Sequence, residues 1–354
     1  MPYDALPMTE SALLAKRFVP LPSPFPLYRG GVILGGGIAY ESWGSLNTAK
    51  DNAILLFTGL SPSAHAASSH EDRSVGWWER LIGPGAAFDV RRYHIICINS
   101  LGSCFGSTGP TSVNPVTGLP YGESFPEIAL EDIASAGCAV LDYFGIERAE
   151  VVVGPSLGGS VVAAFAALYP GKARRMISIS GTLAPSAYAI ALRSIQREAV
   201  MQDPVAGLRL ARKLGTVSYR SAKELSQRFG RQPSSAGRDF AVQDYLDQQA
   251  DKFAGSFDPV SYLRLSRAID RFDLYQHGQR AMLFQLAKLE AALVIGVQED
   301  QLFPIEEQAV MAGALQAAGV PTRFEQLESV YGHDAFLVEQ DRFGTLIERW
   351  LQNH

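Results

Sequence analysis

Short apolar runs recur along the chain, and each is bounded by glycine, serine, asparagine or proline. Most residues in these runs are β-branched or aliphatic, and the runs do not alternate strictly with polar residues. This pattern is typical of strands that are buried on both faces of a parallel sheet. It predicts six strands, at Ile38–Trp43, Ala53–Phe57, His94–Ile98, Val151–Val153, Met176–Ser180 and Leu293–Val297.

Between these runs, apolar residues recur at the three- and four-residue spacing of amphipathic helices. The spacing predicts helices over residues 127–146, Gly158–Leu168, Glu306–Ala317 and Arg342–Leu351. Residues 1–27 are rich in proline and are expected to be irregular. Because strands and helices alternate, the chain is predicted to form an α/β fold with a mostly parallel central sheet flanked by helices.

The alternation stops between residues 184 and 287, where charges and aromatic residues increase and only helical patterns such as "DPVAGLRLARKLG" remain. We interpret this stretch as an α-helical lid inserted into one α/β core. The expected organisation is therefore a first core part over residues 1–183, the lid over 184–287 and a second core part over 288–354.

Composition narrows the possible functions. Of the 354 residues, 47% are hydrophobic, which is enough for a substantial core. The net charge is −5 and no basic run occurs, so nucleic acid is not the expected partner. We find neither a membrane-spanning apolar run nor a secretory leader, and we expect a cytoplasmic protein. The cysteines are Cys97, Cys104 and Cys138; their spacing suggests neither disulfides nor a metal site.

The stretch "VVVGPSLGGS" places Ser156 where an apolar strand gives way to a helical pattern. Gly154 to Gly158 matches G-x-S-x-G, the motif of a nucleophile elbow, in which small residues let strand and helix approach closely. The alternative is a glycine-rich turn that only packs a helix onto a sheet. The elbow predicts an oxyanion hole formed by the backbone N–H of Leu157 and an N–H after an early strand, for which Leu60 is the candidate.

A serine nucleophile needs a base and a carboxylate, which follow it along the chain in α/β-hydrolases. Of the histidines after Ser156, His277 lies in the predicted lid, whereas His333 lies in "YGHDAF", between the strand "TRFEQL" and the last helix. That position favours His333. The strand "ALVIGV" ends at Glu299 and Asp300, and either carboxylate could orient the base; solvated loop acids are the alternative.

Several stretches together resemble the homoserine O-acetyltransferase family, from about residue 27 to the C-terminus. They include "AYESWGSLN", "TGLSPSAHAAS", "GWWERLIGPG", "GSTGP", "GLRLARKLGTVSYRS" and "YGHDAFLVE". "TGLSPSAHA" is most similar to the branch that acylates serine, with acetyl or succinyl groups. The resemblance implies an α/β-hydrolase fold and ping-pong transfer from acyl-CoA to the hydroxyl of L-serine or L-homoserine. It implies Asp300 as the acid, His333 as the base, and Arg212 and Asp334 as amino-acid-binding residues.

The chain departs from the family pattern in three places. Pro155 precedes the nucleophile, and the lid lacks a segment that many relatives carry before "GLRLAR". Phe105 stands where serine O-succinyltransferases tend to carry arginine, and Leu302 offers no cation near Asp300. Because neither side chain can pair with a succinyl carboxylate, this favours acetyl-CoA as the donor.

The resemblance also sets the expected partners. Acyl-CoA is expected as a co-substrate with no bound cofactor, and a homodimer through the lid is a further expectation. Cysteine or methionine biosynthesis would be the pathway. An ester or thioester hydrolase, and a binding protein on an inactive hydrolase fold, are the alternatives; the complete set of Ser156, Asp300 and His333 argues against the latter.

Overall fold

A single eight-stranded sheet forms the centre of the molecule, in a computed structural model that describes residues 15–277, 284 and 287–354. Eight residues of the predicted lid, 278–283 and 285–286, and residues 1–14 lie outside this description. The strands, in chain order, are β1 (Arg17–Pro20), β2 (Gly37–Trp43), β3 (Ala53–Phe57), β4 (His94–Ile98), β5 (Ala149–Pro155), β6 (Ala173–Ile179), β7 (Ala291–Val297) and β8 (Thr322–Leu327).

The spatial order of the strands is β1-β2-β4-β3-β5-β6-β7-β8. In this spatial order, the six strands β4, β3, β5, β6, β7 and β8 pair in parallel. Strands β1 and β2 add an antiparallel edge. The order reverses after β3, so the chain crosses from one half of the sheet to the other between β4 and β5. Ligand sites of open α/β sheets lie at the carboxyl ends of strands near such a reversal.

Every predicted strand is present, with β3, β4 and "TRFEQL" (β8) at the predicted bounds and the others within three residues. The prediction that residues 1–27 are irregular was wrong for β1. This edge strand is short, contains Pro20 and buries only Val19, so it carries no apolar run that a pattern search would detect.

Ten helices accompany the sheet in the described residues. They are α1 (Leu130–Phe144), α2 (Leu157–Leu168), α3 (Ala187–Gln202), α4 (Pro204–Tyr219), α5 (Ala222–Phe229), α6 (Ala241–Ala254), α7 (Pro259–Asp270), α8 (Ile305–Ala317), α9 (Ala335–Val338) and α10 (Gln340–Asn353). Helices α3 to α7 follow one another between β6 and β7, in the region predicted to be helical. No described helix is long and apolar enough to cross a bilayer.

Four of the five helices between β6 and β7 begin at a serine or aspartate whose side chain accepts a hydrogen bond from the first helical turn. These caps are Ser186, Asp203, Ser221 and Asp258. Proline follows both aspartates at the first helical position, where its missing N–H costs nothing. These caps mark where successive helices of this region begin.

The sheet is covered on both faces. Alternate residues of β3 point to opposite sides: Leu55 and Phe57 pack into one apolar cluster with α1, α2 and α8, whereas Ile54 and Leu56 pack into another with α10. All five residues of β3 are buried. Parallel pairing places the carboxyl ends of β3, β5, β7 and β8 at the same edge of the sheet.

Candidate active site

The turn between β5 and α2 holds Ser156 with a positive φ of 58° and ψ of −123°. This conformation is rare for a residue with a side chain and is typical of strained functional turns. The neighbouring glycines make it possible. A Cβ at Gly154 would lie 2.5 Å from the Gly158 carbonyl carbon, and one at Gly158 would lie 2.4 Å from the Phe57 carbonyl oxygen. The motif is thus a close packing of strand, turn and helix that projects Ser156.

The side chains of Ser156, His333 and Asp300 form a continuous hydrogen-bonded chain. His333 Nε2 is 2.8 Å from Ser156 Oγ, and His333 Nδ1 is 2.6 Å from Asp300 Oδ2. The other Asp300 oxygen accepts hydrogen bonds from the backbone N–H groups of Leu302 and Phe303. The three residues come from the ends of β5, β7 and β8, which bring together positions far apart in sequence.

Glu299, the other candidate acid, points elsewhere: its carboxylate accepts a 2.6 Å hydrogen bond from the Ser329 N–H. It therefore supports the loop before His333 rather than the imidazole. The alternative base, His277, ends a short turn over Leu274–His277. Of the two adjacent acids, Asp300 and not Glu299 is hydrogen-bonded to the histidine that meets Ser156.

The imidazole of His333 is enclosed by three aromatic rings. Phe303 stacks on it with the centroids 5.1 Å apart, Phe336 meets it edge-on at 5.5 Å, and Tyr219 lies 5.7 Å away. Burial alone would lower the pKa of His333. The charge and hydrogen bond of Asp300 outweigh this and, with the charge of Asp334, raise the pKa above its ordinary value. This site stabilises the imidazolium that would form when Ser156 gives up its proton.

Of the predicted oxyanion-hole residues, Leu60 lies on the loop after β3 and Leu157 is the first residue of α2, and these two segments are close together. A Cβ added at Gly158 would lie within 3 Å of the Phe57 and Thr58 carbonyl oxygens. A Cβ added at Gly59 would lie 3.8 Å from the Pro155 carbonyl oxygen. Within the described chain, neither the Leu60 nor the Leu157 N–H has a hydrogen-bond partner. Both donors are available to an oxyanion.

A buried ionic cluster anchors the loop that carries Leu60. His65 Nδ1 is 2.8 Å from Glu41 Oε2, and Nε2 is 3.0 Å from the Ser74 carbonyl oxygen, so both ring nitrogens face acceptors. Asp72 lies 3.8 Å from the same ring. Burial opposes the charge on His65, but these partners together raise its pKa. The sequence argument considered only the histidines after Ser156, and so missed this anchoring role of His65.

Arg212 reaches the same region from α4. Its Nη1 is 3.3 Å from the Ser61 hydroxyl, and its guanidinium lies over the rings of Tyr219 and Phe253 at 5.6 and 5.0 Å from their centroids. Its buried Nε has no hydrogen-bond partner, and no described carboxylate lies within ion-pair distance. Since Tyr219 also contacts His333, a single aromatic ring separates this unpaired cation from the imidazole.

Asp334, by contrast, already has a partner. Its Oδ2 is 2.9 Å from Arg220 Nε, and Arg220 also approaches Glu224 at 3.7 Å. Sequence reasoning did not single out Arg220, although it lies in the quoted stretch "SYRS". An ammonium group at Asp334 would therefore share the carboxylate with a guanidinium.

Phe105 and Leu302 lie in apolar surroundings. The Phe105 ring meets Phe257 edge-on at 5.5 Å, and Leu302 is buried in the apolar cluster beside Asp300. Neither position supplies a cation.

The sequence argument missed one cation near the site. Arg193 lies on α3, is only 4% exposed, and its guanidinium lies over the Phe303 ring that stacks on His333. No motif marks it, since it is separated from every site residue along the chain.

Comparison with known proteins agrees with this geometry. Residues 52–340 match the model of the alpha/beta hydrolase fold family. A serine O-succinyltransferase from Litchfieldella anticariensis is 47% identical over 95% of this chain and 98% of its own length. An L-serine/homoserine O-acetyltransferase from Streptomyces lavendulae is 45% identical over 97% of this chain and 99% of its own.

The chain belongs to the homoserine O-acetyltransferase family of α/β-hydrolase-fold acyltransferases. Like its relatives in this family, it is an acyltransferase, as the sequence motifs predicted. Among solved structures, that of esterase E22 is also similar, with a TM-score of 0.86 and 27% identity over 95% of this chain and 99% of that one. The family's fold thus also carries ester hydrolysis.

Proposed function

We propose that this acyltransferase moves an acyl group from acyl-CoA to the hydroxyl of L-serine or L-homoserine through an acyl-enzyme on Ser156. The observation that carries the proposal is the unpaired guanidinium of Arg212, which lies one aromatic ring from the Ser156–His333–Asp300 chain. An amino-acid acceptor carries a carboxylate that such a cation can bind, whereas water as acceptor carries none. The names of the two full-length relatives support the same substrates.

In the first half-reaction, Ser156 Oγ attacks the thioester carbonyl carbon while His333 Nε2 takes the hydroxyl proton. Asp300 holds the imidazolium through Nδ1–H, and the N–H groups of Leu60 and Leu157 donate to the oxyanion. The C–S bond then breaks and the imidazolium returns its proton to the departing thiolate. CoA leaves with a free thiol, and the acyl group remains as an ester on Ser156.

In the second half-reaction, Arg212 binds the carboxylate of the incoming amino acid, a pairing suited to the planar guanidinium. Asp334, shared with Arg220, faces its ammonium group. His333 removes the proton from the amino-acid hydroxyl, whose oxygen attacks the acyl-enzyme carbonyl. The bond to Ser156 Oγ breaks, Oγ regains the proton from His333, and the O-acyl amino acid leaves.

The acyl donor is acetyl-CoA or succinyl-CoA. The apolar surroundings of Phe105 and Leu302 favour acetyl, since neither position offers a cation for a succinyl carboxylate. The name of the Litchfieldella relative favours succinyl. With L-serine as acceptor the product would serve cysteine biosynthesis, and with L-homoserine it would serve methionine biosynthesis. A homodimer through α3 to α7 and a cytoplasmic location remain predictions.

The deciding assay follows CoA thiol release from acetyl-CoA and from succinyl-CoA, each with L-serine, with L-homoserine and with no amino acid. We expect release to require an amino acid and to disappear in Ser156→Ala with the fold intact. Equal release without an amino acid would favour the hydrolase, which the similarity to esterase E22 keeps as the second candidate. Undiminished release by Ser156→Ala would contradict the nucleophile.

A further inference from the structure

The face of the His333 ring is covered by a stack that extends into α3. Phe303 is nearly parallel to the imidazole, with an interplanar angle of 17° and the centroids 5.1 Å apart. The Arg193 guanidinium lies 5.9 Å from the centroid of the same Phe303 ring. A buried cation is thus separated from the base by a single aromatic side chain, a geometry in which the ring's electrons attract the cation.

The charge of Arg193 is only half neutralised. Its Nε is 2.5 Å from Asp270 Oδ1, and Nη1 of Arg197 is 2.5 Å from Asp270 Oδ2. Two guanidinium groups therefore share one carboxylate, which leaves a net positive charge in this cluster. Arg193 Nη2 is buried and has no hydrogen-bond partner in the described part of the chain. The nearby acid Glu307 accepts a 3.0 Å hydrogen bond from the Ser186 N–H instead, and burial raises its pKa.

The charged groups around His333 show what this cation opposes. Asp300 is hydrogen-bonded to the ring, and Asp334 is the next residue, held by Arg220. Tyr219, from α4, has a pKa raised by burial and is neutral at physiological pH. Two carboxylates beside one imidazole favour its protonated form, and a protonated base cannot accept the serine proton. Arg193 lowers the pKa of His333 and so acts in the opposite direction.

We propose that Arg193 is a positioning residue for the base: its guanidinium braces the Phe303 ring against His333 and opposes, as a fixed cation, the two carboxylates beside that ring. The inference rests on the proposed function, since it gives His333 the role of base. It also means that α3, outside the central sheet, contributes to the chemistry through Phe303.

The test compares Arg193→Gln with Arg197→Gln across pH 5 to 9. Both variants remove one guanidinium from Asp270 and leave the other in place, but only Arg193 contacts Phe303. The measured quantity is the burst of p-nitrophenol from p-nitrophenyl acetate, which reports acylation of Ser156. A cation removed from such a distance shifts a pKa by roughly half to one unit. We expect the acid limb to move to higher pH by that amount in Arg193→Gln and to stay in place in Arg197→Gln.

An unmoved acid limb in folded Arg193→Gln, or an equal shift in both variants, would overturn the proposal. Arg193→Lys is the second variant, since it keeps the charge but loses the planar group. It should hold the acid limb at its wild-type position and lower the plateau rate; a limb displaced as far as in Arg193→Gln would also overturn the proposal. Because the ester assay needs no amino acid, it separates this outcome from failure of the proposed transfer, which appears as CoA release without an acceptor.

Discussion

At the scale of single residues, Asp300 shows how the surroundings select one of two adjacent acids. One carboxylate oxygen of Asp300 is hydrogen-bonded to His333, and the other accepts hydrogen bonds from two backbone N–H groups. Glu299 has no such arrangement and supports a neighbouring loop. Asp300, which orients the base in the proposed mechanism, is therefore held through both of its oxygens.

Asp300→Asn should lower the maximal rate of CoA release by about 10³- to 10⁴-fold, because an amide in this position favours the wrong imidazole tautomer. The acid limb of the remaining activity should move to lower pH, since the charge that raises the pKa of His333 is removed. Glu299→Gln is the matched control and should change the rate less than 10-fold. Similar losses in both variants would contradict the assignment of Asp300.

Arg212→Gln should raise the KM for the amino-acid acceptor about 10²-fold while changing the KM for acyl-CoA far less. The loss corresponds to about 3 kcal/mol, a usual value for a hydrogen bond between a charged pair. Steady-state kinetics with each substrate varied in turn measures both constants. Equal increases in the two KM values would show that Arg212 does not belong to the acceptor site.

The sequence sufficed for the residues that carry a motif or a fixed chain order. Ser156 follows from G-x-S-x-G between a strand and a helix, and His333 follows from its loop before the last helix. Glu299 and Asp300 could not be separated from the residues alone, because both end the same strand. Two further contacts form only between segments that are far apart in the sequence, so no local pattern predicts them. They are the ion pair of Arg220 with Asp334 and the stack of Arg193 on Phe303.

At the scale of elements, the close approach of β3 and α2 determines how Ser156 is presented. Gly158 allows this approach, since an added Cβ would collide with the Phe57 carbonyl oxygen. Helix α8 offers a useful contrast: Gly313 is an exposed helical glycine with nothing within 4 Å of an added Cβ. Two helical glycines thus differ in the space around them.

Gly158→Ala should lower the free energy of unfolding by about 1–3 kcal/mol, the usual cost of forcing atoms into a packed interior. Gly313→Ala should instead raise it by about 0.5–1 kcal/mol, because alanine is the better helix former. Urea denaturation of both variants measures the difference. A stabilised Gly158→Ala protein would mean that the strand and helix are not packed this closely.

Elements were predicted best where burial on both faces leaves an unbroken apolar run. Strands β3 and β4, at the centre of the sheet, are entirely buried and matched the predicted bounds. Strand β1 escaped detection because an edge strand buries little and can contain proline. The five helices between β6 and β7 were predicted as a helical region. The sequence did not show which faces of these helices would lie near His333.

At the scale of the whole molecule, the cluster around His65 links stability to pH. His65 lies between Glu41 and Asp72, all three buried, so the charged imidazole compensates two carboxylates. Its folded pKa is raised. The stabilisation is therefore complete below the ordinary histidine pKa near 6.5 and is lost as pH rises through the folded value.

His65→Gln should lower the free energy of unfolding by about 3–5 kcal/mol at pH 6, the usual cost of breaking a buried ion pair, and by less at pH 9. Denaturation curves at several pH values measure this difference. His333 also has a raised pKa, but it is present in both proteins and cancels in the comparison. A difference that does not depend on pH would show that His65 is neutral in the folded protein.

The position of β7 and β8 at one end of the sheet has a consequence for the newly made chain. Ser156 leaves the ribosome well before Asp300 and His333, with α3 to α7 between them. Until β7 pairs with β6, and β8 with β7, the serine has neither base nor acid. A nascent chain that has not yet reached β8 would therefore carry an inert serine, and the capacity for acyl transfer would arise only after the loop with His333 has been made.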